Sequence, residues 1–555
     1  MPKVPNVALC LKSPIRGHIE RITHTLRAHI SLKTLKGIRE VTRFSVASSH
    51  GDGIRESTKD AYWTCVKKCK TLLASTALRA WVIRFPFRAA ASPTYDKNEF
   101  RLQEQTLHKT PPEQALNANS APVSPERTPA RRVALVGLGT VGRPVAKILC
   151  ERSDGLLRLT HICNRNVERK KQACSTELSI PSDVVWTEDF HTILNSDADI
   201  VVELIGGLTP AEELVRGALN AGKSVVTANK QLIARHGPDL LQLASAKGCQ
   251  LEFGASVAGG VPVLPALRTG LCGDRLHGIA GILNGTCNYI LSRIETARIP
   301  FSEALEEAQA RGYAETDASE DLDGGDARAK LSILALAGLQ VRVSAGDIRA
   351  RTIRPIDAVD FDYAAELDCT IRQISRADLK GNTLFADVGP SLVPASSPFG
   401  RVQRNLNLVL TSGEYGGDMA FLGAGAGGDP TAVAVVSDLM FVAGSLAAGS
   451  LSACSGPYLP LQLATPKVSC DFETPWYLRL VVKDQPGIIA GLAAILSVHQ
   501  LNIDAVLQKP GFDKGALPFV ITLEPCSDAQ LHPALEEMSA LPFTLRPCLC
   551  LPILR

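Results

Sequence analysis

The chain predicts an α/β fold: a doubly wound parallel sheet, then an α+β domain, then a small βαββαβ unit at the C-terminus. Three observations predict it. From Arg132 onward, short apolar runs alternate with amphipathic stretches, the rhythm that builds a parallel sheet with helices on both faces. The first apolar run leads into a glycine turn, "VALVGLGTVGRPVAKIL" (133–149). The stretch 474–555 reads as strand, turn, helix, strand, strand, helix, strand, which is the ferredoxin-like order.

Each element follows from local pattern. "RRVALVG" is a short apolar strand, and the helix after the glycine turn runs to about Ser153. "LLRLTHIC" (156–163), "ADIVVELIG" (198–206), "KSVVTAN" (223–229) and "CQLEFGASV" (249–257) are further strands. Between them, "PAEELVRGALNAG" and "QLIARHGPDLLQLASAKG" carry helical spacing. These elements delimit a first domain over 131–258. Past about residue 258 the elements lengthen and glycine breaks appear, which predicts a separate α+β domain over 259–424. In the last unit, "YLRLVVKDQPGIIAGLAAILSVHQLNIDAVLQ", "LPFVITLEP", 527–539 and "FTLRPCLCLPIL" supply the four strands and two helices.

Bulk composition bounds the rest. A chain of 555 residues holds three or four domains of roughly 100–200 residues. With 45% hydrophobic and 21% charged residues the composition is globular, with enough apolar material for large cores. The net charge of +3 conceals an asymmetry: residues 1–130 carry 21 Lys/Arg against 10 Asp/Glu, and the remainder 38 against 46. Nothing in the mildly acidic body suggests a nucleic-acid footprint. Unbroken apolar stretches such as "ILALAGL" (333–339) fall far short of the ~20 residues that span a bilayer, so no membrane segment is expected. The 15 cysteines form no framework, and the close pairs Cys65/Cys69 and Cys548/Cys550 lack a second ligand pair. Free thiols in a reducing cytosol are the expectation. Residues 1–130 read as a basic, disordered extension of minor function, ending in the linker "TPPEQALNANSAPVSPERTPA" (110–130). Their Arg- and Ser-containing start keeps organelle transit open beside a cytoplasmic location, although Glu20, Glu40, Asp52 and Glu56 intrude.

The glycine turn has chemistry of its own. In GxGxxG, Gly137 permits the tight turn and Gly139 lets backbone approach a pyrophosphate. Gly142 lets helix and strand pack closely, while the helix N-terminus offers partial positive charge. A strand before and a helix after make this a Rossmann-type dinucleotide site, with the backbone of Leu138, Thr140 and Val141 against the ligand. An NAD(H) site wants Asp or Glu at the end of the second strand. This chain has "CNRN" there, with Arg165 and then Arg169, Lys170 and Lys171. A guanidinium suits a 2′-phosphate, so NADP(H) is preferred, NAD(H) remaining possible.

The stretch "GYAETDASEDLDGGDARAK" (312–330) puts six carboxylates around one lysine. Together with "VVELIGGLTPA" (201–211), "VVTANKQLIA" (225–234), "ASVAGGVPVLPALR" (255–268), "GILNGTCNYIL" (281–291) and "GAGAGGDPTAVAVVSDL" (423–439), it resembles homoserine dehydrogenase, in the same order along the chain. The last of these fits a segment (about 425–455) that returns to the dinucleotide domain. The resemblance implies hydride transfer between L-homoserine and L-aspartate 4-semialdehyde, in the biosynthesis of threonine, methionine and isoleucine. It implies that Glu315, Asp326 and Tyr313 bind substrate and that Lys330 is the acid/base. It places Lys230 near both nicotinamide and substrate, and Gly206 against the dinucleotide. Asp326 and Lys330 are i and i+4 and share a face if helical. The family's sodium loop maps to backbone carbonyls at Val257, Gly259 and Val261. Its usual glutamate is replaced here by Gly254, with Glu252 two residues earlier, a departure that weakens the expectation of a bound cation. Ala318 stands where the family has proline, and Cys287 where threonine is commoner.

"LVVKDQPGIIAGLAAIL" (480–496) resembles the opening of an ACT domain, a small-molecule sensing module. Asp484 and Pro486 shape its turn, and Gly487 opens a helix whose N–H groups can receive a carboxylate. The resemblance implies threonine as feedback effector and a homo-oligomer, dimer or tetramer. Two alternatives stand beside this reading: another amino- or hydroxy-acid oxidoreductase on the same scaffold, or an amino-acid sensor without catalysis.

Overall fold

In the computed structural model, residues 129–174, 178–447 and 463–554 are described. The extension and linker expected over 1–130 lie outside the described residues, apart from Pro129 and Ala130.

The first sheet is built from β1 (Arg131–Val136), β2 (Leu157–Cys163), β3 (Val185–Thr187), β4 (Ile200–Glu203), β5 (Ser224–Thr227) and β6 (Leu251–Glu252). Its order is β3-β2-β1-β4-β5-β6, every pairing parallel, the doubly wound order with its switch point between β1 and β4. Helices α1 (Gly142–Glu151), α2 (Val167–Cys174), α3 (Phe190–Leu194), α4 (Ala211–Asn220) and α5 (Lys230–Ala246) connect the strands. The expected strand over 249–257 is only two residues long, because Gly254–Ser256 turns into a 3-10 helix. β3, which carries no apolar run, escaped the pattern.

The second sheet holds β7 (Leu276–Ile282), β8 (Arg349–Ala350), β9 (Cys369–Lys380), β10 (Thr383–Pro394), β11 (Leu406–Gly413), β12 (Gly417–Ala424) and β13 (Lys467–Ser469). It runs β12-β11-β7-β9-β10-β13, with β8 paired parallel to β10. One face carries α6 (Gly285–Ala297), α7 (Phe301–Ala310), α8 (Ser319–Leu322), α9 (Gly325–Leu334) and α10 (Ala358–Glu366). After β12 the chain returns as α11 (Gly428–Ala447). Val435, Val436, Leu439 and Val442 of this helix bury against Val133, Leu135, Val145 and Val226, each such side chain stabilising by about 1.5–3 kcal/mol. By length and composition α11 alone among the described helices is sufficient to cross a bilayer, and half of its apolar window is buried inside the protein.

The C-terminal unit comprises β14 (Thr474–Val482), α12 (Ile488–Val498), β15 (Ile503–Leu507), β16 (Leu517–Cys526), α13 (Asp528–Ser539) and β17 (Leu549–Pro552), in the antiparallel order β15-β16-β14-β17. One face of β14 (Trp476, Leu478, Leu480) packs on its own helices. The opposite face joins the core of the preceding domain: Tyr477, Val520 and Leu551 pack with Tyr289, Ile353 and Tyr363. Tyr477 Oη donates to the buried Asp360 at 2.9 Å, and Arg479 pairs with the same carboxylate at 3.1 Å.

The glycine turn is sterically closed. A Cβ on Gly142 would stand 2.0 Å from the Gly137 carbonyl oxygen, and one on Gly137 (φ +102°) 2.6 Å from Leu204 O. Gly142→Ala should therefore lower stability by about 1–3 kcal/mol and weaken dinucleotide binding, read by thermal unfolding and cofactor-fluorescence titration.

Candidate functional site

Three chain segments meet at the carboxyl ends of the first sheet. After β5, Asn229 caps α5 with its side-chain oxygen on Leu232 N at 3.1 Å, which puts Lys230 at the first helical position. An ammonium there opposes the helix dipole, so it needs a counter-charge, and Asp326 supplies one. After β7, the carbonyl of Leu283 and the side chain of Asn284, the N-cap of α6, point into the same space. The third segment is α9. It opens after Gly324, whose φ of +82° is the left-handed conformation that glycine adopts without strain, and it carries Asp326 and Lys330.

Asp326 is the hub. Its side chain is 3% exposed. Oδ1 accepts from Lys230 Nζ, while Oδ2 accepts from Lys330 Nζ at 2.8 Å and from Asn284 Nδ2 at 2.9 Å. Burial pushes its carboxyl up, but the ammoniums of Lys330 and Lys230 outweigh that and hold it far below the usual carboxylate range. Lys230 is affected in the reverse sense: burial lowers it, yet Asp326 prevails and it titrates above an ordinary lysine. Lys330 also donates to Leu283 O at 2.9 Å. With two of its three donors engaged, one N–H remains for an oxygen.

Asp321, not singled out within the acidic stretch, is held by Asn284 Nδ2 at 2.6 Å. Burial raises its carboxyl, as does Asp326, while Asn284 lowers it. Asn284 thus ties two carboxylates together and caps α6 through Cys287 N at 2.8 Å. The sequence signal for it was an asparagine before a glycine at a helix start. The remaining carboxylates differ. Glu315, Asp317, Glu320 and Asp323 are exposed, and the Glu315 carboxylate has no hydrogen bond or ion pair among the described residues. Tyr313 is 39% exposed, its ring 4.9 Å from that of Tyr289. The acidic run therefore divides into an inward pair, Asp326 buried and Asp321 half-buried, and an exposed rim. Cys287 is buried, and burial holds its thiol well above an ordinary cysteine, which fits packing and not nucleophilic attack.

The dinucleotide side is built around Glu203, a fully buried acid at the end of β4. It accepts from Ile205 N at 2.9 Å, Gly206 N at 3.1 Å and Thr227 Oγ1 at 2.6 Å, while Asn229 Nδ2 donates to Gly207 O at 2.6 Å. This network joins the loop after β4 to the loop that carries Lys230. A charged residue ending an apolar strand was the missed signal. In the glycine turn, Leu138 N donates to Asn164 Oδ1 at 2.8 Å, and Lys170 Nζ to Leu138 O at 3.3 Å. Nothing lies within 4 Å of where a Cβ on Gly139 would stand, and Val141 gives α1 no side-chain cap. Open space beside a helix N-terminus fits a pyrophosphate. Arg165 is exposed, two residues past the end of β2.

The segment Val257, Gly259, Val261 is buried beside the return loop, where Gly260 N donates to Ala424 O at 3.1 Å. Val261 O already accepts from Val263 N at 2.7 Å. At Gly254 the structure reveals a substitute: Asp438 of α11 accepts from Gly254 N at 2.7 Å, and a Cβ on Gly254 would stand 2.6 Å from Asp438 Oδ1. Glu252 pairs with the buried Arg268. Burial, with Glu252 close by, pushes Asp438 up to about 8, and burial pushes Glu252 up to about 7 against the pull of Arg268. In the C-terminal unit, Asp484 faces Lys514 at 3.5 Å, and Gly487 (φ +93°) caps α12 without a side chain.

Two family models described as homoserine dehydrogenase match the chain, the NAD binding domain over residues 137–254 and the homoserine dehydrogenase domain over 262–440. The ACT domain model matches 476–543. A homoserine dehydrogenase of Bacillus subtilis is 35% identical over 422 residues, 74% of this chain and 95% of the relative. One of Synechocystis is 36% identical over 74% of this chain and 96% of its own. The crystal structure of a homoserine dehydrogenase from Thiobacillus denitrificans superposes with a TM-score of 0.70 at 32% identity, covering 77% of this chain and 98% of that one.

The buried acid pair predicts a pH dependence. A carboxyl raised on folding contributes stability that is full below its unfolded value near ~4 and is lost as pH rises through about 7 to 8. Asp438→Asn keeps an acceptor for Gly254 N but cannot ionise. Its melting temperature should gain on the parent between pH 5 and pH 9; a constant offset would contradict the assignment.

Proposed function

The chain belongs to the homoserine dehydrogenase family, and from that premise we propose how its residues interconvert L-homoserine and L-aspartate 4-semialdehyde. The observation that carries the reading is the buried Asp326 with an ammonium on each oxygen, one from the dinucleotide side (Lys230) and one from the facing domain (Lys330). The nicotinamide dinucleotide, when bound, supplies or accepts the hydride. Lys330, anchored by Leu283 O and Asp326, presents its remaining proton to the substrate's side-chain oxygen and transfers it as the alkoxide forms. Lys230, kept charged by Asp326, polarises the carbonyl. The substrate ammonium is met by carboxylates: Asp321 at the inner edge, Glu315 at the exposed rim, with Tyr313 beside it.

Support for an NADP(H) preference is the absence of an acid at the end of β2 and the exposed Arg165 just past it; NAD(H) remains an alternative. The glycine turn from Gly137 to Gly142 and Gly206 would hold the pyrophosphate. On this reading 131–258, with a return segment at about 425–455, binds the dinucleotide, 259–424 the amino acid, and 474–555 an effector. Residues 448–455 lie outside the described residues. Threonine as effector at the Asp484–Gly487 turn rests on the ACT match. A homo-oligomer is supported by the edge strand β12, which exposes Met419 and Leu422, since an open strand edge seeks a partner. The sodium expectation at Val257, Gly259 and Val261 lacks a side-chain carboxylate, because Gly254 offers none and Asp438 is engaged; no step passes through a cation.

Initial rates with homoserine and each oxidised cofactor, with and without threonine, test the whole reading; no turnover with homoserine would defeat it. Lys330→Ala should lower kcat by roughly 10²–10⁴ with cofactor affinity nearly unchanged, since Asp326 keeps Lys230 and Asn284 as partners. Near-normal turnover would remove the acid/base role. Arg165→Ala should raise the KM for NADP(H) by at least about tenfold and leave that for NAD(H) within about twofold; equal effects would refute the 2′-phosphate contact.

A further inference from the structure

One side-chain amide touches both inward carboxylates. Asn284, the N-cap of α6, is 3% exposed. Its Oδ1 accepts from Cys287 N at 2.8 Å, which leaves the two N–H groups of Nδ2 for the acids. Nδ2 donates to Asp321 Oδ1 at 2.6 Å and to Asp326 Oδ2 at 2.9 Å. A flipped amide would set its oxygen against two carboxylates and its nitrogen against a backbone N–H, so the contacts fix this orientation. The two acids depend on it unequally. Without Asn284, Asp326 still keeps an ammonium on each oxygen, Lys230 on one and Lys330 on the other. The Asp321 carboxylate has no other hydrogen-bond donor among the described residues. Its main chain is held by the same helix start, with Cys287 Sγ donating to Asp321 O at 3.1 Å. Asp321 is thus mounted, through side chain and backbone, on the first turn of α6.

We propose that Asn284 is a positioning residue for the substrate ammonium: by taking one oxygen of Asp321 it holds that carboxylate beside Asp326 and leaves the second oxygen for the substrate. The inference rests on the assignment of Asp321 to the substrate ammonium and supplies what makes that contact possible. Two neighbouring carboxylates repel each other, and a donor shared between them offsets the repulsion. The ionisable groups facing Asp321 are Asp326 and Lys330 from α9, Lys230 from α5 and Cys287 from α6. Burial raises the Asp321 carboxyl and Asn284 lowers it; Asp326 raises it further, while Lys330 and Lys230 lower it. Removing the amide therefore moves this carboxyl up, and its neutral form, which attracts an ammonium weakly, persists to higher pH. Serine and aspartate cap helices about as well as asparagine. An ionised aspartate has no donor, however, and a serine hydroxyl is one bond shorter, so both substitutions separate capping from positioning.

Steady-state kinetics on the full chain test it, with homoserine and the oxidised cofactor varied in turn and kcat/KM followed against pH. The set is the parent, Asn284→Ser, Asn284→Asp, Asp321→Asn and the double variant Asn284→Ser with Asp321→Asn. Each Asn284 variant should raise the KM for homoserine about tenfold or more. Its kcat should fall by no more than about threefold and its KM for cofactor stay within about twofold, because Lys330 and Lys230 keep their carboxylate. The acid limb of kcat/KM in Asn284→Ser should move to higher pH. The double variant should be little worse than Asp321→Asn alone, since both changes act through one carboxylate. Should Asn284→Asp fail to fold, Asn284→Ser decides alone. A role in helix capping only would lower melting temperature and kcat, leave the acid limb in place and give additive effects; that pattern overturns the inference. A KM raised in Asp321→Asn but not in Asn284→Ser defeats the positioning role and leaves the ammonium contact standing. A KM unmoved in Asp321→Asn defeats both.

Discussion

Asp326 carries the architecture of the site. It is a buried anion that would be intolerable alone, and it is made stable by cations from two different domains. Lys230 belongs to the first helical turn after β5, Lys330 to the helix α9 of the facing domain. Their shared carboxylate is a tie across the crevice at the sheet's switch region, where α/β folds place their ligands. The same tie keeps Lys230 charged while Leu283 O and Asp326 fix the direction of Lys330, so orientation and electrostatics arise from one set of contacts.

The C-terminal unit is more than an appendage. Its sheet has two faces, and only one is covered by its own helices. The other buries Tyr477, Val520 and Leu551 into the catalytic domain's core, with Asp360 taken up by Tyr477 and Arg479. Truncation at Thr474 would strip a core face and leave Asp360 without those partners. A loss of regulation in such a truncation would not by itself locate an effector.

Much of this was legible in the residues. The glycine turn, the parallel sheet and the βαββαβ order follow from local periodicity and turn chemistry, because each is encoded within a few dozen residues. The i,i+4 relation of Asp326 and Lys330 was readable for the same reason. What escaped were long-range meetings. Asn284 reaches Asp321 and Asp326 across about forty positions, and Asp438 reaches Gly254 across 184; no local pattern announces either. Six neighbouring carboxylates also looked equivalent in one dimension. Helix α9 and the α6 cap turn two of them inward and leave Glu315 at the rim, a distinction set by burial and not by composition.

The pairing of Gly254 with Asp438 constrains how this chain can change. Because the carboxylate of one occupies the space that any side chain on the other would need, the two positions form an epistatic pair. A larger residue at 254 requires a shorter side chain, or a displaced one, at 438. Steric coupling of this kind makes what position 254 can hold conditional on a partner 184 residues further along the chain.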